Sequence, residues 1–449
     1  MSTAALLLIA AAGVAALLVL VMWLKLQAFV ALLVVSFLVA LAAGIPLGDI
    51  VETITAGMGD TLGFVAIVVG LGVMIGKIVE LSGGAQRVAM TLINRFGEER
   101  APVALGLTGF IVAIPVFFDV GLIILIPLAY AISQRLSRSL MYYAIPLAAG
   151  LAVTHAFIPP TPGPVATAGI LGADLGWVII FGVVCGIPAF IVGGLLFGRY
   201  IGQRINVTVP DYMAQEAEEQ PEPEDAPPFG LIVGLILLPL GLILVNTLSQ
   251  VLITDEEAPL LTFVGFIGDP VTALLLATLL TFWVLGVRRG WSRDRLLEIA
   301  TKSLEPVGMI VLVTGAGGVF GAVLQEAGIG DALEQALDAS GLPLVVAAFL
   351  IALAVRVSLG SATAAAVTSA GIIAPLVSGQ DVSAPLLGLL VVVIAAGSTA
   401  LSHVNDSGFW LVNRFLGLSE GDTLKSWTVM ETLIGLTGFG VALVISFFL

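Results

Sequence analysis

Ionisable residues inside apolar runs are the first candidates for chemistry in this sequence. The segment LSHVNDSGFWLVNRF, residues 401–415, places His403, Asn405 and Asp406 directly after the apolar run PLLGLLVVVIAAGSTA. His155, the only other histidine, also follows an Ala-Gly run. Ionisable groups inside membrane spans are functional by default, and imidazole and carboxylate groups exchange protons. The pattern indicates proton coupling or binding. The plainer alternatives are a satisfied core histidine, and an Asp406 paired with Asn405 or a backbone N–H.

Polar residues also lie at three other points where a regular helix is interrupted. Asp119, in PVFFDVGLIILIPL, is expected to cap a helix that begins at Val120, and the run PPTPGP at 159–164 cannot stay helical. Arg356, just before the flexible turn GSAT at 360–363, can bind a carboxylate bidentately, snorkel to the surface or pair with an acid. We expect substrate contacts from Arg356, Gly360, Ser361, Thr363, Thr161, Ser402 and Asn405, and proton coupling at Asp119, His155, His403 and Asp406.

The composition indicates that most of the chain is surrounded by lipid. The 449 residues are 59% hydrophobic and 11% charged, whereas soluble domains carry about 25% charged residues. Apolar runs of about 20 residues, long enough to cross a bilayer, recur along the whole sequence. We therefore expect an all-α polytopic membrane protein with about 10 full spans plus hairpins. The single cysteine, Cys185, excludes an intrachain disulfide and a cysteine metal site, and Trp427, near a span end, is expected to be an interfacial anchor.

The basic residues orient these spans, because cytoplasmic loops are enriched in lysine and arginine. The loops 82–100 and 134–139 are both basic, so the segment 102–132 between them must enter and leave from the cytoplasmic side. This predicts a re-entrant hairpin with its tip near residues 117–121, and two tight full crossings are the alternative. The same reasoning predicts a second hairpin at 343–378, entered from outside, with its tip near the sequence SLGS.

The two halves of the chain then show the same order of elements in opposite orientation, which is an inverted repeat, a common transporter architecture. The predicted boundaries are a first span at 1–26, repeat 1 at 27–204 with a hairpin at 102–132 and a broken helix at 141–172, an acidic cytoplasmic linker at 205–228, a linking span at 229–261, and repeat 2 at 262–449 with a hairpin at 343–378 and a broken helix at 384–416. Irregular backbone at membrane depth must be buried in protein or reached by water. Several helix N-termini meeting there would suit a carboxylate ligand.

These features favour a secondary transporter over the other function classes. No Walker motif is present, so ATP is not expected to supply the energy. An intramembrane hydrolase would need closely spaced metal ligands, as in H-E-x-x-H, but the two histidines lie in opposite halves. A passive channel fits poorly with two hairpins that close the path midway. Sodium instead of protons stays open, because unwound carbonyls and Asn or Ser oxygens could coordinate it equally well.

Four stretches resemble the gluconate permease (gluconate:proton symporter) family, which is similar in fold to the ion transporter superfamily. They are PVFFDVGLIILIPL, HAFIPPTPGPVA, GSATAAAVTSAG and SHVNDSGFWLVNRF, and with the arrangement of spans the likeness covers essentially the whole chain. The sequence departs from the gluconate-type pattern at Thr161, where members tend to have His, and at Asp119, where they tend to have Glu.

The resemblance implies paired re-entrant hairpins, a homodimer with a scaffold domain, and an elevator-like movement of a transport domain. It implies proton-driven uptake of gluconate or a related small hydroxy acid across the prokaryotic plasma (inner) membrane, with lipid as the surrounding partner. No enzymatic activity, cofactor, metal or nucleic-acid partner is implied. Because relatives of this family carry D-serine or citrate, a proton- or sodium-coupled transporter of such a carboxylate is the alternative.

Overall fold

The computed structural model describes residues 1–210, 225–253, 259–378 and 381–449. Most of the predicted acidic linker, residues 211–224, lies outside these ranges, as do residues 254–258 of the predicted linking span. Within the described ranges the regular structure is helical, with no strand. Nine helices in these ranges are long and apolar enough to cross a membrane, as expected for an all-α polytopic protein.

The first half begins with two apolar helices and one very long one. Its helices are α1 (Thr3–Met22), α2 (Ala28–Ala43), α3 (Leu47–Leu81), α4 (Gly84–Phe96), α5 (Ala101–Val112), α6 (Phe118–Leu136), α7 (Met141–Phe157), α8 (Pro162–Leu171), α9 (Leu175–Ala189) and α10 (Phe197–Arg204), with a π-helical segment at Phe190–Leu196. The connection at residues 113–117 between α5 and α6 is called tip 1. The interruption at residues 158–161 between α7 and α8 is called break 1.

The second half contains another pair of interrupted elements. Its helices are α11 (Phe229–Leu252), α12 (Pro259–Gly268), α13 (Pro270–Thr281), α14 (Arg293–Leu304), α15 (Val307–Glu326), α16 (Ile329–Ser340), α17 (Leu344–Leu359), α18 (Ala362–Ser378), α19 (Ala384–Thr399), α20 (Ser407–Leu416), α21 (Glu420–Thr423) and α22 (Val429–Ser446), with π-helical segments at Phe282–Gly286 and Leu424–Thr428. Gly360 and Ser361 join α17 to α18 and are called tip 2. Residues 400–406 separate α19 from α20 and are called break 2.

Local sequence explains where the interrupted elements begin and end. Pro162 starts α8, because its fixed φ suits the first helical turn and its missing N–H would have no partner there. Gly360 ends α17 in the left-handed conformation, with a φ of 78°, which glycine adopts without steric cost. Tip 2 lies where the sequence predicted it, whereas tip 1 lies just before the predicted position at 117–121.

The helices that lead into the two breaks form the centre of the molecule. α7 packs against α5 and α19 packs against α17, and both α7 and α19 are buried along nearly their whole length. A Cβ on Gly150 of α7 would lie 2.1 Å from the carbonyl oxygen of Gly106, and one on Gly397 of α19 would lie 2.6 Å from that of Phe349. The Ala-Gly runs before both histidines therefore permit close helix packing of the kind that small residues allow in membranes.

Candidate functional site

A cavity of about 380 Å³ lies between the two tips and break 2. Its wall includes the first turns of α6, α18 and α20, the last turn of α7, and residues from α17, α15 and the start of α22. The first N–H groups of a helix have no intrahelical partner and carry a partial positive charge. The expected convergence of helix N-termini is therefore present for three of the four interrupted elements.

The fourth helix start, that of α8, lies outside this cavity. Thr161 instead borders a separate small pocket together with Pro160, Pro162 and tip 1. Its hydroxyl donates a hydrogen bond of 2.7 Å to the carbonyl oxygen of Ile158, so it satisfies the backbone of break 1. Thr161, which was predicted to contact the substrate, is not among the residues that line the main cavity.

Arg356 is almost completely buried, with 1% of its surface exposed. Its guanidinium donates to the carbonyl oxygen of Gly360 and forms an ion pair with Asp406. Arg356 therefore pairs with an acid inside the protein and does not snorkel to the surface. Its Nε is buried and has no hydrogen-bond partner among the described residues, and its side chain borders the cavity.

Asp406 joins three elements at the end of break 2. One carboxylate oxygen, Oδ1, accepts from the backbone N–H of Gly408 at 3.1 Å and caps α20. The other, Oδ2, receives the guanidinium of Arg356 and the hydroxyl of Ser402. Ser402 in turn accepts from the indole Nε1 of Trp427 at 2.7 Å. Both interpretations of Asp406 fit this geometry, because the residue is a helix cap and also borders the cavity.

Asp119 lies in the first turn of α6 with its side chain exposed toward the cavity. The expectation that it caps a helix beginning at Val120 is wrong. The helix begins earlier, at Phe118, because Phe117 has extended backbone angles and is the N-cap residue, with no side-chain cap. A carboxylate in a first turn is stabilised by the helix dipole, and the Asp119 carboxyl group stays accessible from the cavity.

His155 closes the cavity from the last turn of α7. Its ring meets the ring of Phe117 edge-on, with centroids 5.9 Å apart. The Nδ1 atom is buried without a hydrogen-bond partner in the part of the chain that the structure describes. Buried polar atoms are almost always hydrogen-bonded, so the missing partner makes His155 a candidate for contact with a ligand.

Three predicted site residues support break 2 from outside the cavity. His403 Nδ1 lies 2.8 Å from the carbonyl oxygen of Leu401. The Asn405 side-chain amide donates to the carbonyl oxygen of Val357 at 2.9 Å and ties break 2 to α17. Ser402 is fully buried behind Asp406. These three side chains bond to backbone carbonyl groups or to the Asp406 carboxylate. The other predicted residues that line the cavity are Arg356, Ser361, Thr363, Asp119, His155 and Asp406.

Glu431 and Trp427 border the cavity but were missed as site residues. The prediction that Trp427 is an interfacial anchor is wrong, because it is 3% exposed and packs on Phe118 with ring centroids 5.2 Å apart. Glu431 is 4% exposed, and its Oε1 has no partner within the described ranges. The signal for Glu431 was present, since it is the one charged residue in the apolar run 427–449.

More acidic than basic side chains line the cavity. Three carboxyl groups, from Asp119, Asp406 and Glu431, face one guanidinium. The three helix starts add partial positive charge. Within the described ranges, no group of three or more His, Cys, Asp or Glu residues is arranged to hold a metal ion.

A smaller cavity of about 90 Å³ adjoins the main one and shares Phe117, Val120 and Pro306 with it. Its far wall contains Lys302 and the ion pair between Lys77 and Glu80, whose charged atoms are 2.7 Å apart. Lys302 belongs to the basic segment that the positive-inside rule places in the cytoplasm. The three shared residues lie between the two cavities or line both of them.

Comparison with known proteins identifies the family. The GntP family permease model matches residues 5–448. The chain is 44% identical over 448 residues to inner membrane permease YgbN of Escherichia coli K12, covering 98% of each protein. It is 40% identical over 444 residues to the low-affinity gluconate transporter of the same organism, covering 99% of each.

A solved structure has the same overall fold. The YdaH transporter of Alcanivorax borkumensis, described as having an unusual topology, aligns with a TM-score of 0.60 at 15% identity over 90% of each chain. The predicted resemblance and the all-α membrane fold are confirmed. The protein is a multi-pass integral protein of the inner membrane, and the chain belongs to the GntP family of permeases.

Proposed function

We propose that this protein is a secondary active transporter that takes up gluconate or a related small hydroxy acid together with protons. The observation that carries the proposal is the cavity in which three helix starts meet the buried guanidinium of Arg356. Free N–H groups at helix starts are suited to an anion such as a carboxylate. The cavity volume lies within the range of small-molecule sites. Relatives named as gluconate transporters support the substrate class.

The substrate contacts are proposed from the side chains at the cavity wall. We propose that the Arg356 Nε, which has no hydrogen-bond partner among the described residues, donates to a carboxylate or hydroxyl of the ligand. Ser361 and Thr363 at the start of α18, with Thr399 and Ser407, supply hydroxyls at the wall for the hydroxyl groups of a sugar acid. Gly360 contributes indirectly, because its carbonyl oxygen orients the Arg356 guanidinium.

Proton coupling is proposed from the charge of the site. An anion entering a cavity with three carboxyl groups and one guanidinium would be repelled unless protons neutralised part of that charge. A bare charge at mid-depth is costly in a membrane. Asp119 is the exposed candidate at the cavity. His155 also lines the cavity, and its Nδ1 has no hydrogen-bond partner in the described part of the chain. His403 has the weakest support, because it lies outside the cavity-lining set.

We also propose that the hairpins are re-entrant, that the halves form an inverted repeat, and that a homodimer works by elevator-like movement. The α5 helix has 12 residues and α17 has 16. At 1.5 Å per residue these helices are about 18 and 24 Å long, shorter than a hydrocarbon core of about 30 Å. The similar packing of Gly150 and Gly397 supports the repeat.

The test is uptake of radiolabelled gluconate into proteoliposomes with and without an inward proton gradient. We expect saturable uptake that requires the gradient, and its loss in Asp119→Asn. Asp49→Asn is the matched control, because Asp49 also lies in a first helical turn, that of α3, but is exposed and away from the cavity. Normal uptake by this control would show that removing an acidic residue from the first turn of a helix does not by itself cause the loss of uptake expected in Asp119→Asn.

Other outcomes would redirect the proposal. Absence of gluconate uptake, together with uptake of labelled citrate, D-serine, glycerate or 3-hydroxybutyrate that unlabelled gluconate does not inhibit, would exclude gluconate as substrate. Uptake that follows a sodium gradient and ignores the proton gradient would refute proton coupling. Uptake that does not saturate and needs no gradient would indicate a channel.

A further inference from the structure

Glu431 occupies an unusual position for an acidic residue. It lies in the first turn of α22, borders the cavity, and is 4% exposed. Its Oε1 has no hydrogen-bond partner in the described part of the chain. The charged or titratable groups around it are Arg356 and Asp406, within electrostatic range, and Asp119 and His155, which line the same cavity.

The backbone before α22 fixes this orientation. The π-helical segment Leu424–Thr428 directly precedes the helix, and such segments occur frequently at functional sites. Trp427 and Glu431 are four residues apart, so they lie on one face of the helix. Trp427 is held by Phe118 and by the hydroxyl of Ser402, so the Glu431 carboxyl group is directed at the cavity by well-packed neighbours.

The guanidinium of Arg356 does not neutralise this carboxyl group by direct contact. Its two terminal nitrogens are engaged by Asp406 and by the carbonyl oxygen of Gly360. An ionised carboxylate that is buried without a partner is strongly disfavoured. Glu431 is therefore expected to hold a proton while the cavity is closed off from water, and to lose it when water and a proton acceptor reach the cavity.

We propose that Glu431 is a proton-carrying residue of the transport cycle. It is the buried acidic residue of the cavity wall, whereas Asp119 is an exposed one. A proton taken from the outer medium binds a carboxylate oxygen of Glu431, crosses with the substrate anion, and passes to water on the cytoplasmic side. The smaller cavity, which shares Phe117 with the main one and is also lined by Lys302, is the exit proposed for this proton. This inference rests on the proposed proton-coupled uptake and adds a site to it.

The experiment compares two activities of the reconstituted full chain in wild type, Glu431→Gln and Glu52→Gln. Glu52→Gln is the matched control, because it makes the same chemical change at an exposed residue of α3. The first activity is gluconate accumulation under an inward proton gradient, with proton entry followed by a pH-sensitive dye inside the vesicles. The second is counterflow, in which labelled gluconate exchanges with unlabelled gluconate at equal pH.

We expect Glu431→Gln to lose accumulation and gluconate-induced proton entry while it retains counterflow, because exchange does not require the carrier to release its proton. Glu431→Asp should recover part of the accumulation with a changed pH profile. Accumulation and proton entry at wild-type levels in Glu431→Gln would overturn the inference. Loss of counterflow as well, in protein that elutes normally on size exclusion, would assign Glu431 to substrate binding or packing and would also overturn it.

Failure of the proposed function gives a different result. In that case the wild-type protein and Glu52→Gln would show no gluconate accumulation or proton entry under the proton gradient. The Glu431 inference would then fall with the proposed function. A defect confined to Glu431→Gln, with the other two proteins active, concerns Glu431 alone.

Discussion

Replacing Gly360 with alanine should separate tip 2 from break 2 and stop transport. Gly360 has a φ of 78°, and a Cβ there would lie 2.2 Å from the carbonyl oxygen and 2.8 Å from the carbonyl carbon of Asn405. Both contacts are backbone atoms of break 2, which cannot move aside as a flexible side chain would. The Asn405 amide and the Arg356 guanidinium each bridge the end of α17, just before tip 2, and break 2, so a shift would disturb both.

The expected magnitude has two parts. A left-handed backbone costs a residue with a Cβ roughly 1–2 kcal/mol, and forcing extra volume into a packed site costs about 1–3 kcal/mol more. Gly44→Ala isolates the first part, because Gly44 has a φ of 80° and a Cβ added there would meet no atom within 4 Å. We therefore expect Gly360→Ala to lower the free energy of unfolding by about 1–3 kcal/mol more than Gly44→Ala does.

Two measurements check this expectation. Denaturant unfolding in mixed micelles compares the stabilities of the two variants, and proteoliposome uptake compares their initial rates. Gly44→Ala should transport at close to the wild-type rate, whereas Gly360→Ala should lose most of its transport. Equal stability and equal uptake in the two variants would refute the argument that tip 2 and break 2 act as one interlocked unit.

Two further predictions concern the ionisable residues at the same site. His155→Ala should slow uptake about tenfold or more, as expected for loss of a hydrogen bond to a charged group. His403→Ala should transport normally. Equal effects of the two substitutions in uptake assays would contradict the assignment of His155 to the cavity. Asp406→Asn leaves the buried Arg356 without a counter-charge and should lower stability by about 3–5 kcal/mol. The double variant Arg356→Gln with Asp406→Asn should recover part of that loss in denaturant unfolding, and a loss as large as that of the single variant would argue against the ion pair.

The positions of the chain interruptions could be predicted because local backbone chemistry determines them. The start of α8 at Pro162 and the end of α17 at Gly360 follow from residues that favour or require particular backbone angles. The start of α6 could not be placed from Asp119, because helix capping by a polar side chain is a preference and Phe117 takes the position without one.

The partners of the site residues depend on packing that the sequence does not display. Arg356 and Asp406 are 50 residues apart in the chain, and only the contact of tip 2 with break 2 pairs them. Trp427 resembles an interfacial anchor in the sequence, but the π-helical segment and the Ser402 hydroxyl turn its indole inward. Glu431 was within reach of sequence reasoning, because a charge inside an apolar span is a functional candidate wherever it occurs.

The helix starts that follow the two tips and the two breaks, those of α6, α8, α18 and α20, differ in how many backbone N–H groups they can offer to an anion. The start of α8 contains Pro162 and Pro164, which have no N–H to offer an anion, and it lies outside the main cavity. The start of α20 has Asp406 bound to Arg356, so its positive end is already occupied in part by a carboxylate. The starts of α6 and α18 therefore offer the most available backbone donors. Because α6 also carries Asp119, a proton on that carboxyl group would remove the negative charge next to an anion bound at the start of α6, which couples their binding without requiring a second distant site.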